Sequence, residues 1–290
     1  MEAIGHEGNG ERPLLSFQVI TDTHVTADPQ HVHNRNLERA LRDIAENAAD
    51  SCGIMHVGDV TDHGFPEEYE ELKRIWRQYE DRLPDARFAT GNHDIALGIW
   101  EARLGRFLEA TRMAGPYHDH RIEGHLFLFL GTEKGHELNC SLSEEQLKWL
   151  DAKLGEEAGS GRPAFVFLHQ PLQDTVAGSR ESQGWHGVEQ DEELRGVLAR
   201  HPHAIVFTGH THWELEAPYA FYDGESRFPA MFNAASVGYL WTDDDEHKDG
   251  SQGYYVEVYP DRVQVRGRDF ERGAWIEAAQ FEVRMGEKIL

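Results

Sequence analysis

The chain has 290 residues and carries 28 Lys and Arg against 52 Asp and Glu, a formal charge of −24. With 39% hydrophobic and 28% charged residues it has a globular composition, and a surface this acidic weighs against broad DNA or RNA binding and against anionic membranes. Two cysteines, Cys52 and Cys140, define neither a disulfide framework nor a thiolate site, and no stretch reaches the ~18 apolar residues of a membrane span.

From the N-terminus, residues 1–15 read as a flexible segment and 16–290 as a single domain. Met1–Arg12 is polar and lacks the apolar centre of a signal peptide, so a cytoplasmic location is expected. Ser16–Ile20 is expected as a strand running into Thr21-Asp22-Thr23-His24. Leu37, Ala40, Leu41, Ile44 and Ala48 recur at helical spacing. Ile54–Val57 is a second strand, ending in Gly58-Asp59. Pro66 opens a helix that carries Tyr69, Leu72, Ile75, Trp76 and Tyr79 on one face. Arg87–Thr90 is a third strand, followed by Gly91-Asn92-His93-Asp94, and Leu126–Leu130 is a fourth. Ser143-Glu144-Glu145-Gln146 has the form of a capping box and opens a helix that runs through Leu154. Ala164–Leu168 is a buried type of strand ending at His169, and Glu189–Arg200 is a helix. Ala204–Thr208 leads directly into Gly209-His210-Thr211-His212.

This alternation of strands and helices predicts an α/β domain. Beyond residue 212 the pattern changes to strands at Met231–Ala235, Tyr254–Tyr259 and Arg262–Gly267, with Pro260-Asp261 as a hairpin turn. Two long loops remain, Gln170–Val188 and Tyr239–Gly253, the second with the acidic run Asp243–Glu246. Loops of that length inside a compact domain are functional or mobile.

Five polar clusters follow strands directly: Asp22-x-His24, Gly58-Asp59-x-x-Asp62, Gly91-Asn92-His93-Asp94, His169 and Gly209-His210-Thr211-His212. The C-terminal edge of an open α/β sheet is where ligands bind, so the five are expected to converge. Singly, each reads as an ordinary turn or a hydrogen-bonded histidine. Together they read as one metal site. Asp, Asn and His offer oxygen and imidazole nitrogen, which suit Mn, Fe, Zn or Ni and not a soft thiolate site. Glycines before Asp59, Asn92 and His210 permit tight turns. A carboxylate such as Asp59 can bridge two cations about 3.5–4 Å apart.

In this order the clusters resemble the signature of the calcineurin-like metallophosphoesterase superfamily, over Asp22 to His212. The resemblance implies a four-layer α/β/β/α sandwich with two mixed sheets. The segment 213–290 is expected to complete the second sheet or to form a homodimer contact. The resemblance also implies two divalent or trivalent metal ions, Mn, Fe, Zn or a mixed pair. Asp22, His24 and His212 would hold the first, Asn92, His169 and His210 the second, and Asp59 would bridge them. A metal-bridging hydroxide would attack the ester, with His93 as general acid oriented by Asp62, while Asp94 would serve the loop.

The substrate is expected to be a small phosphate ester. The Ser/Thr protein phosphatases of this superfamily have a phosphate-binding arginine where this chain has His63, which turns the reading away from phosphoproteins. Gly64-Phe65-Pro66-Glu67-Glu68-Tyr69 and Leu142-x-x-x-Gln146-Leu147-x-Trp149-Leu150 are similar to the bacterial class III cyclic-nucleotide phosphodiesterase branch. That similarity implies a small phosphodiester of cyclic-nucleotide or glycerophosphodiester type. A phosphomonoesterase, a nuclease and a non-catalytic scaffold are the alternatives. Asn92 and Trp213 are candidate substrate contacts, Trp185 and His186 candidate pocket walls, and His31 and His33 read as solvated.

Overall fold

A computed structural model describes residues 11–96, 98–224 and 227–285. Most of the expected flexible segment 1–15 lies outside the described residues, and Leu15 already begins the first strand. Along the chain come β1 (Leu15–Ile20), α1 (Val32–Asn47), β2 (Ile54–His56), α2 (Pro66–Arg77), β3 (Ala86–Phe88), α3 (Asn92–Ile95), α4 (Trp100–Thr111), β4 (His118–Ile122), β5 (His125–Phe129) and α5 (Glu144–Glu156). There follow β6 (Ala164–Phe167), α6 (Asp191–Leu198), β7 (Ala204–Thr208), β8 (Phe221–Tyr222), β9 (Ala230–Asn233), β10 (Leu240–Trp241), β11 (His247–Lys248), β12 (Gln252–Val258), β13 (Arg262–Asp269) and β14 (Ala274–Arg284).

Two mixed sheets result, one in the order β14-β13-β12-β1-β2-β3 and the other β4-β5-β6-β7-β9-β8. In the first, β1, β2 and β3 run parallel. In the second, β5, β6, β7 and β9 do. Parallel strands are buried on both faces and so read as unbroken apolar runs. Period-two alternation then sorts their side chains. Phe127, Phe129, Phe165, Phe167 and Phe207 enter the core between the sheets, while Leu126, Leu128, Val166 and Val206 pack under α5 and α6. From the first sheet, Phe17 stands edge-on to Phe127 and Phe165, with ring centroids 5.2 and 4.8 Å away. Helices α1, α2 and α4 cover the outer face of the first sheet through Leu37, Leu41, Ile44, Leu72, Ile75 and Phe107. The layers are therefore helix, sheet, sheet and helix, the sandwich that was expected.

The segment after residue 212 serves both sheets. Strands β8 and β9 extend the β4–β7 sheet, whereas β12 pairs antiparallel with β1 and carries β13 and β14 outward from it. Helix α4 and strand β4 have no counterpart in the sequence expectations: α4 buries only Leu104, Phe107 and Thr111, with Gly105 between them weakening the helical pattern. The stretch Tyr239–Gly253 is not one long loop, since β10 and β11 pair into a small hairpin whose tip holds the exposed run Asp243–Glu246. Among the described residues no helix is long and apolar enough to cross a membrane. Both cysteines are free, Cys140 buried and Cys52 half-buried.

Candidate metal centre

The loops after β1, β2, β6 and β7 leave parallel strands at the same edge and are laced to one another by backbone hydrogen bonds. Asp22 N donates to Gly58 O at 3.0 Å, His24 N to Asp59 O at 3.1 Å, and Gly209 N to His169 O at 2.9 Å. Val237 N and Gly238 N, after β9, close the ring by donating to Thr21 O and Asp22 O at 3.0 and 2.9 Å. Within these loops Asp22, His24, Asp59, His210 and His212 all adopt positive φ, between 42° and 69°. That left-handed region costs an L-residue roughly 1–2 kcal/mol. Such strain persists where the surrounding bonds over-determine the backbone. Close approach explains two of the glycines: a Cβ on Gly91 would lie 2.0 Å from Asp59 Oδ1, and one on Gly209 would lie 2.1 Å from Thr21 Oγ1.

Each central carboxylate has one oxygen tied and one aimed inward. Asp22 Oδ2 accepts from Thr21 Oγ1 at 2.6 Å and from His210 N at 3.0 Å. Its Oδ1 is buried without a hydrogen bond, 2.9 Å from His212 Nε2 and 3.8 Å from both His24 Nε2 and His169 Nε2. Asp59 Oδ1 accepts from His93 N at 2.9 Å, while Oδ2 faces His169 Nε2 at 3.1 Å and His24 Nε2 at 3.8 Å. The imidazoles are oriented from behind. His169 Nδ1 lies 2.8 Å from Val57 O, and a carbonyl only accepts, so Nδ1 holds the proton and Nε2 is left buried and unbonded toward the carboxylates. His24 Nδ1 faces Asp62 Oδ1 at 3.2 Å, which leaves Nε2 toward Asp22, Asp59 and His212. Backing of a histidine by a carboxylate or carbonyl is the usual arrangement behind a metal ligand.

The two buried carboxylates and the imidazoles around them shift one another's protonation. Burial alone raises the Asp22 carboxyl, but the imidazoles of His212 and His169 draw it well below the ordinary range. Asp59 is depressed in the same way, against its burial, by His169 and His93. Burial lowers His24 and His169, yet Asp22 and Asp62 lift the first to about 10, and Asp59 and Asp22 lift the second to about 9. His210 is pushed down to about 3 by burial and by His169. Two buried carboxylates thus demand positive charge, which protons or metal ions can supply. The orphaned Asp22 Oδ1 and His169 Nε2, in a set of carboxylate oxygens and imidazole nitrogens, fit first-row divalent or trivalent ions.

The remaining candidates fall around this centre. Asn92 opens α3, its Nδ2 donating to Glu137 O at 2.9 Å and its Oδ1 accepting from Gln170 Nε2 at 3.3 Å. His93 lies edge-on to His24, ring centroids 4.6 Å apart, and its Nδ1 donates to the backbone carbonyl of Asp62 at 2.7 Å. Asp62 therefore contacts His93 through its main chain, while its carboxylate is shared between His24 and His63, the latter at 3.1 Å. Asp94 accepts from Val60 N, Thr61 N, Thr61 Oγ1 and Gly91 N, clasping two loops together. Trp213 is buried against Ala177, Ala217 and Trp241. Trp185 is tied to Pro171 O, and His186 is exposed. His33, expected to be solvated, is half-buried and donates from Nδ1 to His24 O at 3.2 Å. Two contacts had no sequence signal beyond adjacency or none at all: Gln170, next to His169, and Tyr239, whose ring lies 4.3 Å from that of His212.

The sequence profile of calcineurin-like phosphoesterases matches residues 15–214. A Synechococcus protein named a probable cyclic nucleotide phosphodiesterase is 28% identical over 70% of this chain and 75% of its own length. A Rhodococcus erythropolis protein of the same name is 27% identical over 66% of each. Among solved structures, a purple acid phosphatase from yellow lupin seeds (Lupinus luteus) superposes with a TM-score of 0.66 at 11% identity, covering 95% of this chain and about half, 54%, of its own.

Proposed function

The chain belongs to the calcineurin-like phosphoesterase family of metal-dependent phosphoric ester hydrolases, and on that premise we propose that it is a dinuclear hydrolase of small phosphodiesters of cyclic-nucleotide or glycerophosphodiester type. The chief support is the convergence of two groups, Asp22–His24–His212 and Asp59–His169–His210, whose ligand-type atoms lie within 4.8 Å of one another in each group. In this reading the first group holds one metal, His169, His210 and Asn92 hold the other, and Asp59 serves both. Mn, Fe, Zn or a mixed pair satisfy these donors.

When bound, the metal pair supplies Lewis acidity to the phosphate oxygens and acidifies the attacking water. The protein's own part is orientation and proton transfer. Because the Nδ1 proton of His93 is committed to the Asp62 carbonyl, Nε2 is the atom left to carry a proton to the departing alkoxide. Asp94 holds the Asp59 and Asn92 loops at a fixed separation, so the two ligand groups keep their spacing. Relatives named as cyclic nucleotide phosphodiesterases support a diester. The charge of −24 weighs against a nuclease.

The test is a substrate panel on protein loaded with defined metals: bis-p-nitrophenyl phosphate, 3′,5′-cyclic nucleotides, glycerophosphodiesters, p-nitrophenyl phosphate and single-stranded DNA. Turnover of the small diesters ahead of the monoester and DNA is expected. A preference for the monoester would replace the diesterase reading, and no hydrolysis of any ester would end it.

A further inference from the structure

A row of aromatic rings rises from the first ligand group to the surface. Tyr239 lies against the rings of His212 and His24, with centroids 4.3 and 5.7 Å away. It stacks with His33 at 5.3 Å, which in turn meets His31 at 4.3 Å. It also stacks with His247 at 5.4 Å, and Trp241 meets His247 edge-on at 5.9 Å. His24 and His212 are buried, Tyr239, His33, His31 and Trp241 are half-buried, and His247 is exposed. The row therefore leads outward from the metal centre and is not sealed inside the core.

Its members come from separate places in the chain, and each is fixed by the loops that build the centre. Ser236 Oγ accepts from Tyr239 N at 3.3 Å and donates to Asp22 O at 3.0 Å. Asn36 Nδ2 binds Gly238 O at 2.8 Å, tying this loop to α1, which also carries His33. Trp241 N donates to His212 O at 2.9 Å, and an ion pair between Lys248 and Glu214 holds the β10–β11 hairpin to the same loop. The Tyr239 hydroxyl has no hydrogen bond among the described residues. A polar-tipped aromatic row that is held rigidly and left partly open is built to meet a ligand. Flat rings offer stacking area at little entropic cost, and a phenol adds a donor.

We propose that His33, Tyr239 and His247 form the specificity wall of the site and select diesters whose alcohol carries a planar ring, a nucleoside or an aryl group, over those of glycerol. The proposal rests on the phosphodiesterase reading above and narrows its substrate class. The phosphate would lie at the metals, and the ring it carries would lie along the row.

The experiment compares wild type, Tyr239→Ala and His247→Ala, each checked for metal content. One measurement is the ratio of kcat/KM for 3′,5′-cyclic AMP, and for bis-p-nitrophenyl phosphate, to that for a glycerophosphodiester. The other is equilibrium binding of adenosine 5′-monophosphate against glycerol 3-phosphate by calorimetry. In Tyr239→Ala both preferences are expected to fall about tenfold, the scale of one lost base–aromatic stack, mainly through KM. His247→Ala, at an exposed position, is expected to lose about threefold and decides the matter if Tyr239→Ala fails to fold or to hold metal. Preferences unchanged in the folded variants would overturn the wall. A fall for the nucleotide alone or for the aryl ester alone would assign the wall to that group. If wild type hydrolyses neither diester, the phosphodiesterase reading fails, while loss of the nucleotide binding preference would still uphold the wall.

Discussion

Strand β6 carries Phe165 and Phe167 into the core between the sheets and, two residues further on, delivers His169 to the candidate metal centre. At Phe167 the backbone is regular and the ring is fully buried, with centroids 4.7 Å from Phe129 and 5.6 Å from Phe207. At His169 the ring is equally buried, but its Nε2 has no hydrogen bond and faces two carboxylates. The core gains stability by having every atom in contact with apolar neighbours. The centre keeps left-handed backbone, unbonded ligand-type atoms and two buried carboxylates, which only the surrounding frame makes tolerable. Packing and reactivity are thus separated along a single strand by one turn of the chain.

That contrast can be broken at its strongest point by Asp59→Ala. Removing the carboxylate that faces both ligand groups is expected to lower kcat/KM by on the order of 10⁴, and to cost the metal-free fold some stability because the buried imidazole of His169 loses its partner. Unchanged kcat/KM in folded protein would show that Asp59 takes no part in the centre. Phe167→Ala is the complementary change. It is expected to cost about 3–5 kcal/mol in urea unfolding while leaving kcat per folded molecule nearly intact. A selective loss of kcat would mean that the core tunes the centre directly.

Smaller effects sharpen the comparison inside the centre. His93→Gln is expected to slow diesters of alkyl alcohols by about 10²–10³, and p-nitrophenyl esters far less, since a good leaving group needs no proton. Equal slowing of both would remove His93 as the acid. Asp62→Asn should leave the carbonyl behind His93 in place and weaken the backing of His24, reducing metal affinity by roughly 10–100-fold. A change in the leaving-group dependence instead would tie the Asp62 carboxylate to proton transfer.

The smallest effect concerns metal-free protein. There His24 and His169 are lifted from 6.5 to about 10 and about 9 by the carboxylates beside them. A group raised on folding stabilises the native state below its unfolded value, and that contribution is lost as pH rises through the folded value. Chelated protein should therefore melt at progressively lower temperature between about pH 6.5 and 10, and metal-loaded protein should not, because the cations replace those protons. Parallel melting profiles would refute the exchange of protons for metal.

The sequence by itself determined an α/β domain and the strands that end in polar clusters, while the sandwich was implied by the family resemblance that those clusters carry. Runs such as Ala164–Leu168 and Ala204–Phe207 are apolar at every position, and only burial on both faces accounts for that. It also marked Asp22, His24, Asp59, His169, His210 and His212 as candidate ligands, because a metal centre needs these residue types at loop positions that a core would not accept. Only the tertiary structure decided which atom does what. Asp62 meets His93 through its carbonyl and His24 through its carboxylate, Gln170 reaches Asn92, and Tyr239 comes to rest on His212 from a distant hairpin. These contacts join residues far apart in the chain, and their geometry is set by how neighbouring strands pair and how the two sheets pack. No local period or spacing encodes such a distance, so a motif can name the ligands while the fold alone places the groups that orient them.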